Sequence, residues 1–319
     1  MLLLHLHGAD IFRPSSRHPQ PLNDRSLCWP GVCSPVGAHA ITTNGSSVAA
    51  LFSAYPPLVW VLLLATGILI GLLAGFLGVG GGVVAVPVLL DVFAVMGLGE
   101  ANATALAVGT AQASILVASV TAVTAHWRAG TIDGPLVRTW LPALLLGTVL
   151  GLALSAFASA RLLTGLLAVV AGALAVKMAI GERLTFARAP LKGFPGQLPP
   201  TIVGTLAAAV GVGGGTLSTP VLSLFSFPIK RAIGAGAVFN LAISLPATAF
   251  FLTTDLGTPG RTVDALGDVA LFCFAALSLP ALFVAPAAAR WSARAPVSVL
   301  RRLFALCLAA IALRLLLRN

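Results

Sequence analysis

The chain has 319 residues, of which 58% are hydrophobic and only 9% charged, with a mean hydropathy of +1.01; a soluble domain carries roughly 25% charged residues. This excludes an ordinary water-soluble fold and implies an all-α polytopic membrane protein. The net charge of +10 does not imply nucleic acid, because a nucleic-acid surface clusters its basic side chains beside aromatic or polar readers, whereas here Lys and Arg fall between apolar spans as topogenic charge does.

Residues 1–50 are rich in Pro, His, Arg and Ser, contain no run long enough to span, and read as a disordered tail. The opening MLLLHLH lacks a positive n-region, so no signal peptide is expected. Cys28 and Cys33 fall in the tail and Cys273 and Cys307 in spans, which gives neither a disulfide framework nor a metal site. The first transmembrane repeat occupies 51–181, with apolar segments at about 57–79, 83–97, 101–125, 139–158 and 161–181. A basic linker, 182–198, carries Arg183, Arg188 and Lys192. The second repeat, 199–319, has segments at about 199–212, 216–227, 231–254, 266–288 and 296–317. Segments beside the glycine runs are short for a bilayer about 30 Å thick and read as broken or re-entrant helices.

The repeat is explicit in the residues. Gly71–Leu89, GLLAGFLGVGGGVVAVPVL, returns 133 residues later as Gly204–Leu222, GTLAAAVGVGGGTLSTPVL, with 11 of 19 positions identical. Each copy puts a Gly-Val-Gly-Gly-Gly break into an apolar helical stretch, and in a membrane unwound backbone is tolerated only where protein buries it or it lines a cavity. Paired breaks of this kind point to a transport site. The helix that starts after each break presents N–H groups without intrahelical partners and the positive end of its dipole, which suits an anion. The candidate substrate contacts are Gly78, Gly80, Gly81 and Gly82 in the first copy and Gly211, Gly213, Gly214 and Gly215 in the second, joined there by the hydroxyls of Thr216, Ser218 and Thr219. The first copy has Val83, Ala85 and Val86 at the hydroxyl positions, so the half-sites are chemically unequal. The plainer reading is close helix packing, the role expected of Gly67, Gly71 and Gly75 at four-residue spacing.

Among polar residues inside spans, Gln112 and Asn240 are further candidate substrate contacts, with Asn102, Thr104 and Ser244 weaker ones; a lone amide in lipid also serves as interhelical glue. Pro87 and Pro220 are expected to shape the helix after each break, and His126 to anchor a span end at the interface.

Loop charge relates the two copies. The loop after the second segment carries Glu100 in the first copy and Lys230 and Arg231 in the second. The next loop has Arg128 and Arg138 against Asp133, but Arg261 among Asp255, Asp264 and Asp268 in its counterpart. The last has Arg161 alone, against Arg290, Arg294, Arg301 and Arg302. All three comparisons change sides, as two inverted-topology repeats of about five segments each require.

The glycine element GxxGxGGGxxxxPxL, Gly75–Leu89 and, with Ala208 for the first Gly, Ala208–Leu222, resembles that of the TauE/SafE family of sulfite exporters, over about residues 57–317. The stretch Ala101–Leu106 and the Leu-Pro-x4-Gly-x3-Gly element of Leu141, Pro142, Gly147 and Gly151 support the resemblance; the second copy keeps Leu279 and Pro280 but has Ala285 and Ala289. It implies a transporter of sulfite, sulfoacetate or a related sulfur-containing or organic anion.

No His-Glu-x-x-His, paired embedded carboxylates or Walker Gly-Lys-Ser/Thr element is present, so no enzyme is expected and ATP cannot drive the chain directly. The leading expectation is a secondary transporter that exports a small anion by alternating access, with an anion channel or an accessory membrane subunit as alternatives. It needs no cofactor and no metal; its partners are the anionic substrate and the lipid bilayer, a coupling ion and a homo-oligomer are both compatible, and no nucleic acid is expected. The Ala- and Arg-rich composition suits a multi-pass protein of a bacterial inner (plasma) membrane.

Overall fold

In a computed structural model, residues 57–157, 194–253, 262 and 264–318, with scattered helical positions between 165 and 179, are described. The tail, most of the fifth segment and the linker cations Arg183, Arg188 and Lys192 lie outside them. The described helices are α1 (Pro57–Leu77), α2 (Gly82–Val95), α3 (Glu100–Arg128), α4 (Gly134–Phe157), α5 (Phe194–Val210), α6 (Gly214–Leu224), α7 (Ile229–Thr253), α8 (Leu271–Arg294) and α9 (Val297–Arg318). A short hairpin, β1 (Ala265–Leu266) with β2 (Val269–Ala270), precedes α8.

Five of these helices are long and apolar enough to cross a membrane: α1, α3, α4, α7 and α8. The protein is therefore an all-α, multi-pass membrane protein. At 1.5 Å per residue the 21 residues of α1 reach about 31 Å, whereas the 14 of α2 and 11 of α6 reach only about 21 and 16 Å. Leu58 and Val61 on α1, Leu146 and Val149 on α4, and Leu279 and Phe283 on α8 are exposed, which is the surface a lipid environment requires. Polar side chains instead fall inward on α3 and α7, where Thr110, Gln112, Ser114, Asn240 and Ser244 are buried.

Lipid gives helices no hydrophobic reason to associate, so close packing must come from small residues. Gly67, Gly71 and Gly75 perform that role: a side chain at each would run into the α8 backbone at Leu277, Ala281 and Ala285 in turn, so α1 and α8 lie parallel and nearly in contact. In the same way Gly147 and Gly151 of α4 meet Thr201 and Thr205 of α5, again in parallel, while Gly204 meets Leu144. The first long helix of each copy thus packs on the fourth of the other. The third helices pair directly: Gly109, early in α3, meets Phe251, late in α7, and Thr131, just past α3, meets Gly234, early in α7. They are antiparallel.

Three helix starts fall five residues from the hydropathy reading, that of α4 at Gly134 instead of 139 and those of α5 and α8. Helix α5 starts at Phe194, inside the linker, because Pro195 sits in a first turn where a missing N–H costs nothing. Helix α8 starts only at Leu271: Gly267, at φ +57°, turns the hairpin inward, the Asp268 N–H donates to the Phe251 carbonyl (2.7 Å), and Asp264 accepts from the Phe272 N–H (2.8 Å) in the helix's first turn. The hairpin residues are apolar enough to look like the start of a span.

Candidate functional site

Both glycine runs break their helices, and the backbone shows why glycine is there. Gly78, Gly80 and Gly81 have φ of 67°, 80° and 75°, and Gly211 and Gly213 have 76° and 87°, values that cost a side-chain-bearing residue about 1 kcal/mol or more. The copies are not identical. Gly81 is left-handed and caps α2, whereas its counterpart Gly214 is already helical, so α6 begins one residue earlier in the repeat.

The two breaks meet. A Cβ on Gly82 would lie against the Gly211 carbonyl oxygen, and a Cβ on Gly215 would lie against the Gly78 carbonyl oxygen. Since 82 corresponds to 215 and 78 to 211 at the repeat spacing of 133, these are one contact made twice. Gly80 and Gly213 both press on the Asn240 amide, 2.9 and 2.8 Å from where their Cβ atoms would be, and Asn240 is near the middle of α7. Gly82 also meets Ile115, near the middle of α3. Residues 77–83 and 211–220 are buried throughout.

The predicted polar contacts divide into two groups. Asn240 accepts from the Gly215 N–H (2.7 Å) and donates to the Gly78 carbonyl (2.6 Å), so one amide spans both breaks. Thr216 donates to the Val79 carbonyl of the other copy (2.9 Å), and Thr219 donates to the Ala232 carbonyl of α7 (3.2 Å). These three side chains brace backbone, the glue role rather than an open substrate contact. The Ser218 hydroxyl and the Gln112 Oε1 are buried without a partner, although Gln112 Nε2 donates at 3.4 Å to the Ala207 carbonyl. Gln112 stands on α3 between Val108, which packs on Gly211, and Ile115, which packs on Gly82. Pro87 and Pro220 are buried inside α2 and α6, where each removes one helical N–H and leaves the carbonyl four residues back without it. Asn102 and Thr104 lie in the first two turns of α3, and each has a bonding partner.

His126 is not an interfacial anchor. It is buried, with Nε2 3.0 Å from the Gly75 carbonyl of α1 and Nδ1 3.0 Å from the Thr131 hydroxyl. Sequence reasoning had no signal for this bond, which joins residues 51 apart. Nor did it foresee Thr110, whose hydroxyl accepts from the Ala270 N–H (2.9 Å) and ties the hairpin to α3.

The side chains at the breaks carry no charge, and the polarity there is that of backbone N–H groups and two helix starts. Among the described residues no group of three His, Cys, Asp or Glu is placed to hold a metal. A cavity of about 700 Å³ lies elsewhere, between α1, α2, α8 and α9; Leu69, Leu72, Phe76, Trp291 and Leu303 line it, and its walls are almost wholly apolar.

The sequence profile of the family described as "Sulfite exporter TauE/SafE" matches residues 63–315. A "Probable membrane transporter protein" of Haemophilus influenzae is 28% identical over 261 residues, which cover 81% of this chain and 98% of that one. Another protein so described, from Methanocaldococcus jannaschii, is 24% identical over 202 residues, covering 61% and 73%. No solved structure matches the chain.

Proposed function

The chain belongs to the sulfite exporter TauE/SafE family and is a membrane transporter, and from that premise we propose a secondary carrier that exports a small anion across a bacterial inner membrane by alternating access. Its substrate class is an oxyanion such as sulfite, sulfoacetate or a related sulfur-containing or organic anion. The observation that carries this reading is the reciprocal contact of the glycine breaks, Gly82 with Gly211 and Gly215 with Gly78, at the middle of α3 and α7. Each break opens a helix at the junction, so the positive ends of two helix dipoles are supplied from the two halves without a charged side chain, although Asn240 already holds the Gly215 N–H. A binding site built this way releases an anion more readily than one built on Arg or Lys.

The antiparallel course of α3 and α7 supports the inverted relation of the repeats, because equivalent spans that cross in opposite directions are what inversion produces. The exposed cations Arg128, Arg138 and Arg231 sit around the turn between α3 and α4 and the start of α7, and this is the end we assign to the cytoplasm. In this reading the buried breaks with their Asn240 brace are an occluded arrangement, and transport requires the halves to rock apart on one side at a time.

The test is flux by the purified chain in proteoliposomes, with labelled sulfite, sulfate, thiosulfate, sulfoacetate and lactate, alongside thermal stabilisation by the same anions. A carrier saturates and exchanges label across the membrane, and a binding anion raises the denaturation midpoint. Linear, non-exchanging flux would instead make the chain a channel. Neither stabilisation nor flux with any anion of the panel would sink the reading and favour an accessory subunit.

A further inference from the structure

His126 occupies an unusual position for an imidazole in a membrane protein: buried, in the last turn of α3, with both ring nitrogens held. A carbonyl only accepts, so Nε2 must carry a hydrogen toward Gly75. The other nitrogen faces a choice. Thr131 has one hydroxyl hydrogen and two acceptors within reach, Nδ1 at 3.0 Å and the His126 carbonyl at 3.1 Å. With the ring neutral, the hydroxyl donates to Nδ1. With the ring protonated, Nδ1–H donates to the hydroxyl oxygen, and the hydroxyl rotates to donate to the carbonyl. Both protonation states are fully bonded, and they differ by one added proton and the rotation of one hydroxyl.

The surroundings suit a site that takes up and releases a proton. Gly75 lies in the last turn of α1 and His126 in that of α3, so two helix C-termini, the dipole ends that accommodate a cation, converge on the ring. The charged groups on the neighbouring elements are mostly engaged. Asp133, in the turn after α3, pairs with Arg231 of α7 at 3.3 Å and accepts from the Leu136 N–H, and Lys230 of α7 donates to the Ala293 carbonyl of α8 at 3.0 Å. Arg128 on α3 and Arg290 on α8 are exposed, and α1 brings only the Gly75 carbonyl.

The ring also holds a mechanically useful point. Three residues after Gly75 comes Gly78, whose carbonyl is gripped by Asn240 at the junction of the breaks. A protonated ring makes a charge-assisted bond to Gly75, stronger than a neutral one, and so fixes the end of α1 against α3; loss of the proton loosens it. We propose that His126 binds the coupling proton of this carrier, with Thr131 as the hydroxyl that lets it titrate in place. The proposal rests on the transporter reading above and deepens it.

The test uses proteoliposomes of the full chain with the membrane potential clamped by potassium and valinomycin, an imposed pH gradient, and labelled thiosulfate and sulfoacetate as probes. For one proton per anion, the accumulation ratio at equilibrium changes about tenfold per pH unit. His126→Gln keeps an amide donor for Gly75 but cannot titrate, and its ratio should stay near one whatever its rate. A His126→Gln ratio that follows the parent's overturns the proposal, as does a parent that exchanges label but never accumulates it. A second measurement needs no transport: nitrogen-15 histidine spectra of the purified chain, from which the His126→Gln spectrum is subtracted to remove the four tail histidines. On acidification His126 should pass reversibly from the neutral to the doubly protonated form over the pH range in which the purified chain stays folded. Thr131→Val should alter that transition, and Thr131→Ser should restore it. If the parent moves no anion, the transport reading and with it the coupling role fail, and the titration then decides the proton site alone; a ring fixed in one form throughout the range overturns that site.

Discussion

Asn240 and Thr216 both bond across the meeting of the breaks, and magnitudes separate them. Side-chain hydrogen bonds between membrane helices average only about 0.6 kcal/mol, because the separated helices find other partners. A backbone group abandoned in a sealed interior costs more, about 1–3 kcal/mol. Thr216→Val removes one hydroxyl donor in nearly constant shape and should cost roughly 0.5–1 kcal/mol, with Thr216→Ser restoring most of it. Asn240→Ala strands both the Gly215 N–H and the Gly78 carbonyl, and should lower the denaturation midpoint in detergent clearly more than Thr216→Val does. Equal midpoints for the two variants would mean that the amide does not brace the junction. Anion binding should respond in the same order, because the brace sets the spacing of the two helix starts.

At the scale of the element, the glycines divide into those that allow a turn and those that allow contact. Gly71 in α1 is a contact glycine: a Cβ there would come within 3.1 Å of Ala281 and Val284 atoms of α8. Gly71→Leu should force α1 and α8 apart and reduce the yield of folded protein, by the 1–3 kcal/mol typical of overpacking. Gly134, at the start of α4, has nothing within 4 Å and no positive φ, so Gly134→Ala should leave the denaturation midpoint within the error of measurement. A Gly71→Leu variant as stable as the parent would show that the interface yields freely. The packing role was legible in the residues themselves: the four-residue spacing of Gly67, Gly71 and Gly75 announced a contact face, and hydropathy found α1 to α4 and α5 to α9 within a few residues. What the sequence could not show is which helix each glycine face meets, because α1 pairs with α8 some 200 residues away. Nor could it show that the Asn240 amide is already engaged, since its partners Gly78 and Gly215 lie 162 and 25 residues from it. Local pattern marks a polar residue in a span as exceptional; only tertiary contact says whether it holds substrate or backbone.

For the whole molecule, the inverted relation proposed for the halves makes a prediction that does not depend on substrate. The long helices are joined so that the first of each half packs on the fourth of the other, and a rigid-body rocking of one half therefore drags helices of both. If α3 and α7 cross in opposite senses because the second half is upside down, the loops at the two ends of this pair must face different compartments. Arg294, exposed at the end of α8, lies beside the Lys230 end of α7, since Lys230 bonds to Ala293. Leu266, exposed in the hairpin, lies near the opposite end, where Asp268 bonds to Phe251. In a background with Cys28, Cys33, Cys273 and Cys307 replaced, a cysteine at position 294 should react with a membrane-impermeant maleimide only from the cytoplasm, and one at position 266 only from outside. Helix α8 would then cross once between them. Labelling of both positions from one side would make α8 a re-entrant element, change the parity of the second half and remove the inversion on which alternating access by rocking depends.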